Sequence, residues 1–261
     1  MRRIAHISDL HFGREDPRVV AGLHEDIGEE RADLVVVSGD LTQRARTHEF
    51  EAVERFLRGL PAPFVAVPGN HDIPLFDVWR RLRAPFGRYA RHISAELSPR
   101  HSDEELAVLG LNTSLHFVWK GGLVRRQALA AMRGWAAVAG DRLRVVFAHH
   151  PFTRATDRRG HSLVRRSADA VQVMEEAGVD LVLTGHHHIA GHSESRAFAV
   201  GGPHRLVIVQ AGTATSVRVR GDPNSYNLIH ADQDKITVEE RVWKEDRFTA
   251  GKVQSYPRRS N

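Results

Sequence analysis

Residues 34–40 read LVVVSGD, a run of four apolar residues followed by serine, glycine and aspartate. A short β-branched run of this kind is typical of a buried strand, so Asp40 is expected just past the end of a strand. Four further clusters follow largely apolar runs in the same way: Asp9-x-His11 after 4–7, Gly69 to Asp72 after 64–67, His149-His150 after 145–147, and Gly185 to His188 after 181–183. Open α/β folds bind ligands beyond the carboxyl ends of their strands. We therefore expect the five clusters to meet in one site.

Apolar periodicity predicts alternating strands and helices through the first 185 residues. The predicted strands are 4–8, 34–38, 64–67, 106–111, 143–148 and 180–184, and the predicted helices are 19–31, 47–60, 127–138 and 169–177. After residue 190 the helical period disappears, and strands are predicted near 198–200, 206–210, 226–230 and 236–243. We predict a single domain over residues 1–261, with a cap-like insertion at about 73–105 and a β-rich part at about 190–245 that builds a second sheet.

The composition is that of an ordinary folded protein. Hydrophobic residues make up 41% and charged residues 26% of the 261 positions, which argues against disorder. No apolar stretch approaches the roughly 20 residues of a membrane span. Asp9 and His11 interrupt the first apolar run too early for a secretory signal, so we expect a cytoplasmic protein. The absence of cysteine excludes disulfides, thiolate metal sites and a cysteine nucleophile.

The net charge of +5 comes mainly from arginine. The arginine pairs are scattered along the chain, whereas a nucleic-acid groove requires a basic patch with interleaved aromatic residues. We therefore favour solvated helix faces and do not expect nucleic acid as a partner. One segment, Trp79 to Tyr89, does mix aromatic residues with arginine. It fits a grip on a nucleotide or on a phospholipid head group, but an amphipathic surface helix is the slightly favoured interpretation.

The clusters contain seven metal-ligand residues with oxygen or nitrogen donors: Asp9, His11, Asp40, Asn70, His149, His186 and His188. Such a set suits Mn, Fe, Zn, Ni or Co and disfavours Cu(I) and iron–sulfur clusters. A tetrahedral zinc takes four ligands, so seven ligands with one shared carboxylate indicate two metals roughly 3.5–4 Å apart. Each cluster alone is compatible with a turn or an ordinary loop, and only their joint occurrence favours two metals. His150 and His187 fit pocket lining and core packing equally well.

The five clusters, in this order between Asp9 and His188, resemble those of the calcineurin-like metallophosphoesterase superfamily. The resemblance implies an α/β fold in which two mixed β-sheets pack as a sandwich flanked by helices. It also implies two metal-binding sets that share Asp40: Asp9, His11, Asp40 and His188 for one metal, and Asp40, Asn70, His149 and His186 for the other. His71 would be a catalytic histidine that binds no metal, contacts the phosphate and assists the leaving group, with Asp72 orienting it.

Residues 6–13 and 39–42 resemble those of small bacterial members, the class III cyclic nucleotide phosphodiesterases and glycerophosphodiesterases. This likeness implies a metal-dependent hydrolase that cleaves small phosphodiesters, with 3′,5′-cyclic nucleotides as one candidate, through a hydroxide that bridges two divalent ions. Manganese is favoured over iron and zinc, and a homo-oligomer stays open.

Other hydrolase classes fit the sequence less well. Purple acid phosphatases carry a metal-binding tyrosine that has no counterpart between Asp9 and Asn70. Ala190 stands where a metallo-β-lactamase would carry aspartate. Two alternatives stay open. A nuclease acting on DNA ends or single strands is disfavoured because the chain has no DNA-capping domain. A non-catalytic metal-binding scaffold is disfavoured because all seven ligands and His71 are present.

Overall fold

A computed structural model describes residues 1–118, 121–153, 163–188, 190–194, 206–217 and 222–258. The strands are β1 (Arg2–Ile7), β2 (Leu34–Val37), β3 (Phe64–Ala66), β4 (Arg100–Ser102), β5 (Leu106–Leu111), β6 (Leu143–Ala148), β7 (Leu181–Thr184), β8 (Gly191–Glu194), β9 (Val207–Gln210), β10 (Ser225–Ala231), β11 (Lys235–Lys244) and β12 (Arg247–Pro257). The helices are α1 (Pro17–Glu29), α2 (Thr47–Gly59), α3 (Val78–Arg83), α4 (Gly87–His92), α5 (Arg126–Ala137) and α6 (Ser167–Glu176).

The first sheet has the strand order β12-β11-β10-β1-β2-β3. Strands β1, β2 and β3 are parallel, so their carboxyl ends lie along one edge. On its other side β1 pairs antiparallel with β10, from Arg2 opposite Ala231 to His6 opposite Asn227. The last strands of the chain therefore extend the N-terminal sheet.

The second sheet has the strand order β4-β5-β6-β7-β9-β8. Its four central strands are parallel, and an antiparallel strand closes each edge. The carboxyl ends of β6 and β7 consequently lie side by side, as those of β1, β2 and β3 do in the first sheet.

The central strands are buried on both faces. On β2, Val35 and Val37 pack in a cluster with residues of α1 and α2, whereas Leu34 and Val36 belong to the cluster between the two sheets. Helices α5 and α6 pack against the outer face of the second sheet. Burial on both faces explains why the sequence of β2 is an uninterrupted apolar run instead of an alternating one.

The predicted fold is confirmed, because two mixed sheets pack face to face with helices on their outer faces. The strands and helices predicted within residues 1–185 all occur, with ends displaced by at most two residues. The prediction that the β-rich part builds a second sheet holds for β8 and β9, which complete the sheet that begins at β4 and β5. It does not hold for β10, β11 and β12, which continue the first sheet because β10 pairs with β1. Strands β4, β8 and β12 were not predicted, and the strand predicted near 198–200 lies outside the described residues.

Residues 73–105, predicted as a cap-like insertion, contain the two short helices α3 and α4 and the edge strand β4. Helix α4 is anchored to the first sheet by Tyr89, which is buried and donates its hydroxyl hydrogen to the carbonyl of Ala66 at 2.7 Å. Helix α3 has no buried residue, and its Trp79 is 72% exposed. Within the described parts of the chain, no helix has the length and apolar character needed to cross a membrane.

Candidate metal centre

The structure brings all seven predicted ligands together at the joined carboxyl edges of the two sheets. Asp9, His11, Asp40 and Asn70 lie in the loops after β1, β2 and β3, whereas the three other histidines lie in the loops after β6 and β7. Backbone hydrogen bonds hold neighbouring loops at fixed distances: Asp9 N to Gly39 O at 3.0 Å, His11 N to Asp40 O at 3.0 Å, and Gly185 N to His149 O at 3.1 Å.

Most of the predicted ligands have an unusual backbone conformation. Five of the seven lie in the left-handed region, with φ values of 53° for Asp9, 49° for His11, 51° for Asp40, 75° for His186 and 60° for His188. Non-glycine residues rarely adopt this conformation, which costs about 1–3 kcal/mol each and is concentrated at functional sites. The surrounding packing must therefore hold these loops in place.

Two glycines allow the loops to approach until the predicted ligands meet. A Cβ atom at Gly69 would lie 2.1 Å from Oδ1 and 2.2 Å from the backbone nitrogen of Asp40. A Cβ atom at Gly185 would lie 1.9 Å from Oγ of Ser8 and 2.7 Å from Oδ2 of Asp9. All four distances are well below van der Waals contact, so only glycine fits at these positions.

Asp9, His11 and His188 form a first group of possible ligands. The Nε2 atoms of His11 and His188 are 3.4 Å apart, and they lie 3.7 and 3.5 Å from Oδ1 of Asp9. This Oδ1 atom is buried and accepts no hydrogen bond from any described residue. A buried carboxylate oxygen without a partner is costly unless a cation compensates it. The orphaned oxygen, with two imidazole nitrogens beside it, fits a bound metal ion.

Asn70, His149 and His186 form a second group of possible ligands, close to Oδ1 of Asp40. Nε2 of His149 lies 3.3 Å from Oδ1 of Asp40, 3.2 Å from Oδ1 of Asn70 and 3.1 Å from Nδ1 of His186. One imidazole nitrogen carries at most one hydrogen and cannot satisfy three partners. Oδ2 of Asp40 faces the first group, 3.8 Å from Nε2 of His11. Asp40 therefore has the position of a bridging ligand, and the assignment of the seven residues to two ions stays a prediction.

The charges of the two groups stabilise one another. Burial alone would raise the pKa of the Asp9 and Asp40 carboxyls, but the neighbouring histidines outweigh it and hold both pKa values well below the usual range. Burial would lower the pKa of His149, but Asp40 raises it to about 9. Burial, assisted by the charge of His149, lowers the pKa of His186 to about 3. Metal binding needs ionised carboxylates and neutral imidazoles, so only His149 has to lose a proton at neutral pH among these four.

Polar groups behind the predicted ligands orient them. Nδ1 of His149 donates to the carbonyl of Ser38 at 2.9 Å, and Nδ1 of His188 lies 2.7 Å from Oγ1 of Thr213. Both contacts turn Nε2 of the ring towards the centre. The hydroxyl of Ser8 donates to Oδ2 of Asp9 at 2.8 Å. Sequence reasoning missed these residues because hydroxyl and backbone groups carry no metal-ligand signal.

His71 lies half-buried at the mouth of the centre, with its ring centroid 4.8 Å from that of His11. Its backbone N–H donates to Oδ1 of Asp40 at 2.8 Å. Its Nδ1 lies 2.9 Å from the carbonyl oxygen of Gln43, which can only accept and therefore places the hydrogen on Nδ1. A neutral ring with its hydrogen on Nδ1 has Nε2 as its acceptor atom.

Asp72 was predicted to orient His71, but its carboxylate has another role in the structure. It accepts hydrogen bonds from the backbone N–H groups of Leu41, Thr42 and Gly69, at 3.2, 2.8 and 2.8 Å. Burial and the charge of Asp40 raise the pKa of Asp72 to about 6. Asp72 thus joins the loops after β2 and β3, and the group that orients the His71 ring is the carbonyl of Gln43.

His150 and His187, which sequence reasoning left ambiguous, are both buried beside the centre. The ring nitrogens of His149, His150 and His186 include a set within 4.8 Å of one another. Nδ1 of His150 lies 2.8 Å from Oγ1 of Thr113, whereas its Nε2 has no hydrogen-bond partner among the described residues. The ring of His187 lies 5.4 Å from that of His186. Both residues therefore border the second group.

The amino-acid sequence matches the family described as calcineurin-like phosphoesterase over residues 2–190. The chain belongs to this family. The resemblance predicted from the five clusters is thereby confirmed, and the matched region includes every predicted ligand, from Asp9 to His188.

Two curated proteins are similar to part of the chain. The first is a glycerophosphodiester phosphodiesterase, GpdQ, from Enterobacter lignolyticus, 28% identical over 165 residues that cover 57% of this chain and 56% of the relative. The second is a probable glycerophosphodiester phosphodiesterase GpdQ from Arcobacter nitrofigilis, 26% identical over 134 residues that cover 49% of this chain and 45% of the relative. The chain spans about half the length of the curated relatives it matches.

Solved structures with the same fold include two phosphatases. A purple acid phosphatase from yellow lupin seeds superposes with a TM-score of 0.73 at 11% identity, covering 97% of this chain and 53% of that one. A dimetal phosphatase from Danio rerio superposes with a TM-score of 0.70 at 12% identity, covering 95% of this chain and 98% of that one. At these identities the likeness shows the fold alone. Family membership and the curated relatives together support a metal-dependent hydrolase of phosphate esters, and the family implies two divalent metal ions.

Proposed function

We propose that this protein hydrolyses small phosphodiesters with the help of two divalent metal ions. The observation that carries the proposal is the position of Asp40, whose Oδ1 and Oδ2 face two separate groups of possible ligands. Beside it lies His71, half-buried at the mouth of the centre. The names of the curated relatives, which are glycerophosphodiester phosphodiesterases, support a small diester as substrate.

The proposed metal ligands are the seven residues named above. Asp9, His11, Asp40 and His188 would hold one ion, and Asp40, Asn70, His149 and His186 the other. Two bound ions activate water near neutral pH and neutralise charge on the phosphoryl oxygens. Manganese is the proposed metal because the donor set contains only oxygen and nitrogen, although intrinsic affinity alone would favour zinc.

His71 is proposed to assist the departure of the leaving group. Because Gln43 holds the hydrogen on Nδ1, a neutral His71 ring presents Nε2 as an acceptor, and a protonated ring presents Nε2–H as a donor. In the protonated form it can donate a hydrogen bond to the phosphate and transfer the proton to the departing oxygen. Asp40, which accepts the backbone N–H of His71, fixes the distance between this ring and the ligand groups.

A substrate panel tests the proposal. The protein is stripped with a chelator, reloaded with Mn²⁺, and assayed with bis-p-nitrophenyl phosphate, p-nitrophenyl phosphate, a glycerophosphodiester, cyclic AMP and single-stranded DNA. We expect hydrolysis of the diesters to exceed that of the monoester, to vanish on chelation, and to return with two ions per chain. The Asp40→Asn variant, purified in parallel, controls for contaminating phosphatases.

Three results would count against the proposal: full activity after exhaustive chelation, saturation at one ion per chain, or faster hydrolysis of single-stranded DNA than of any small diester. The last result would favour the nuclease alternative. A comparison of cyclic AMP with the glycerophosphodiester decides which small diester is the better substrate.

A further inference from the structure

A second concave site lies next to His71. It is a hollow of about 430 Å³ lined by Gly13, Arg14, Gln43, Arg44, Arg46 and Glu49. We call it the arginine pocket. Its volume is in the range of small-ligand sites, which is roughly 300–1,000 Å³, and none of its residues was assigned a role by the family motifs.

The arginine pocket carries an excess of positive charge. In the described part of the chain, none of the guanidinium groups of Arg14, Arg44 and Arg46 forms an ion pair with a carboxylate. The one carboxylate in the lining, Glu49, is 3% exposed, and its Oε2 accepts the backbone N–H groups of Arg44 and Arg46 at 2.8 and 3.0 Å. Glu15, close by, accepts the backbone N–H of Gly13. The acidic groups therefore hold the loops, and the guanidinium groups remain available to a ligand.

The loops that carry the arginines are fixed by the same contacts that shape the metal centre. Arg14 follows His11 by three residues, and Arg44 follows Asp40 by four. The two loops run side by side, because Gln43 N donates to the carbonyl of Phe12 at 2.9 Å. Two backbone hydrogen bonds hold Arg14 in place. Its N–H donates to the carbonyl of His11, and its carbonyl accepts the N–H of Val217, each at 2.9 Å.

The arginine pocket adjoins the mouth of the metal centre, because Gln43 and Arg44 line both the pocket and the crevice beside His71. Gln43 lines the pocket and also holds Nδ1 of His71 through its carbonyl. Arg44 lines the pocket and, on its other side, a narrow crevice formed with Asn70, His71 and Leu75. The guanidinium carbon of Arg44 lies 5.7 Å from the ring centroid of Phe76, a cation–π contact that restricts the side chain. A ligand with one end at His71 can therefore reach the arginines with its other end.

We propose that the arginine pocket is a subsite for a second phosphate group, so that the preferred substrates are phosphodiesters with a further phosphate on one ester arm. The proposal rests on the proposed function, since it assumes that the scissile phosphate lies beside His71. Guanidinium groups bind phosphate oxygens through two parallel hydrogen bonds. Three of them around one hollow favour a dianion over a neutral or cationic group.

Two matched chromogenic substrates test the subsite. They are thymidine 5′-(p-nitrophenyl phosphate) and the same compound with a 3′-phosphate, which have the same scissile bond. For the wild-type protein loaded with Mn²⁺, we expect kcat/KM to be about tenfold higher for the 3′-phosphorylated substrate, mainly through a lower KM, because charge-assisted hydrogen bonds to one guanidinium have roughly this effect. The advantage should shrink as KCl screens the charges.

The variant Arg14→Gln/Arg44→Gln should bring the ratio of the two kcat/KM values close to one. Arg55→Gln/Arg58→Gln is the matched control. It also removes two positive charges, but from exposed positions in the second half of helix α2, where Arg58 pairs only with Glu54 among the described residues, and it should keep the wild-type ratio. A wild-type ratio near one, or an unchanged ratio in the double variant, would overturn the subsite.

A binding experiment separates failure of the subsite from failure of the proposed function. If neither substrate is hydrolysed, the proposed function is wrong, and calorimetric titration with thymidine 3′,5′-bisphosphate and thymidine 5′-monophosphate still decides the subsite. Binding of the bisphosphate about tenfold tighter than the monophosphate, in the wild type and not in the double variant, supports it. Equal affinities in the wild type refute it.

Discussion

Replacing Thr213 with valine should weaken metal binding although Thr213 is not a proposed ligand. Its Oγ1 lies 2.7 Å from Nδ1 of His188, and both residues are buried. With the hydroxyl as acceptor, the contact places the hydrogen on Nδ1 and would leave the lone pair of Nε2 for a bound ion. Valine has nearly the same shape as threonine and removes only the hydroxyl, so the imidazole can rotate or change its tautomer. The loss of such a supporting hydrogen bond typically weakens metal affinity about 10- to 100-fold, which is about 1.4–2.7 kcal/mol.

Mn²⁺ affinity is measured by calorimetric titration of the metal-free protein. An independent measure is the Mn²⁺ concentration that gives half-maximal hydrolysis of bis-p-nitrophenyl phosphate. Thr215→Val is a stringent control. Thr215 is equally buried and donates a hydrogen bond from its hydroxyl to the carbonyl of Leu10 at 2.8 Å, so its loss disturbs a neighbouring loop without touching an imidazole. We expect a clear fall in affinity for Thr213→Val and a change of less than about threefold for Thr215→Val.

Wild-type affinity in Thr213→Val would refute the idea that this hydroxyl orients His188. An equal loss in both variants would show that the loop as a whole, and not the ring of His188, responds to the missing hydroxyl. Urea denaturation of the metal-free variants separates either result from a general loss of stability, since each lost buried hydrogen bond should cost about 1–2 kcal/mol of unfolding free energy.

Two further predictions concern the metal centre and a third concerns a buried ion pair between helix α1 and the first sheet. Asp40→Ala should lose both ions and all measurable activity, because the two carboxylate oxygens of Asp40 face the two ligand groups. Elemental analysis after gel filtration measures the metal content, and retention of two ions would refute the bridging position. His71→Ala should keep its metal content and lower kcat about 10²–10⁴-fold, less for a p-nitrophenolate than for an alkoxide leaving group; an equal loss for both would leave His71 only a positioning or electrostatic role. Asp26→Ala should lower the free energy of unfolding, measured by urea denaturation, by about 3 kcal/mol. The buried carboxylate of Asp26 accepts two hydrogen bonds from Arg241, at 2.6 and 3.0 Å, and one from the hydroxyl of Tyr226. A change below about 1 kcal/mol would show that Glu30 and Glu239, which also pair with Arg241, compensate for the lost carboxylate.

The strands that carry the metal centre were predictable because their signal is local. Strand β2 is buried on both faces, so its sequence is a continuous apolar run, and Gly39-Asp40 follows where the strand ends. The same local signal marks the ends of β1, β3, β6 and β7. Since carboxyl ends of parallel strands lie at one edge of a sheet, position after strands explains why the predicted ligands gather within each sheet, and the packing of the two sheets brings the two edges together.

The partner of a strand is not a local property, and this is where the sequence prediction failed. The sequence of β10 does not name its partner, and in the structure β10 lies beside β1, more than two hundred residues earlier in the chain. The short edge strand β4 and the exposed strand β12 have mixed polar sequences because one side of each faces solvent or a loop. Apolar periodicity therefore gave no sign of them.

The amino-acid sequence by itself determined the types of the predicted ligands, their position after strands and, through them, the family. Only the tertiary structure decided which groups hold the predicted ligands, His71 and their loops in place: Thr213 behind His188, the carbonyl of Gln43 behind His71, and Asp72 between two loops. Hydroxyl and carbonyl groups occur along the whole chain and acquire a function only where folding places them within hydrogen-bond distance of an imidazole. That placement depends on long-range packing of the two sheets, which short stretches of sequence do not encode.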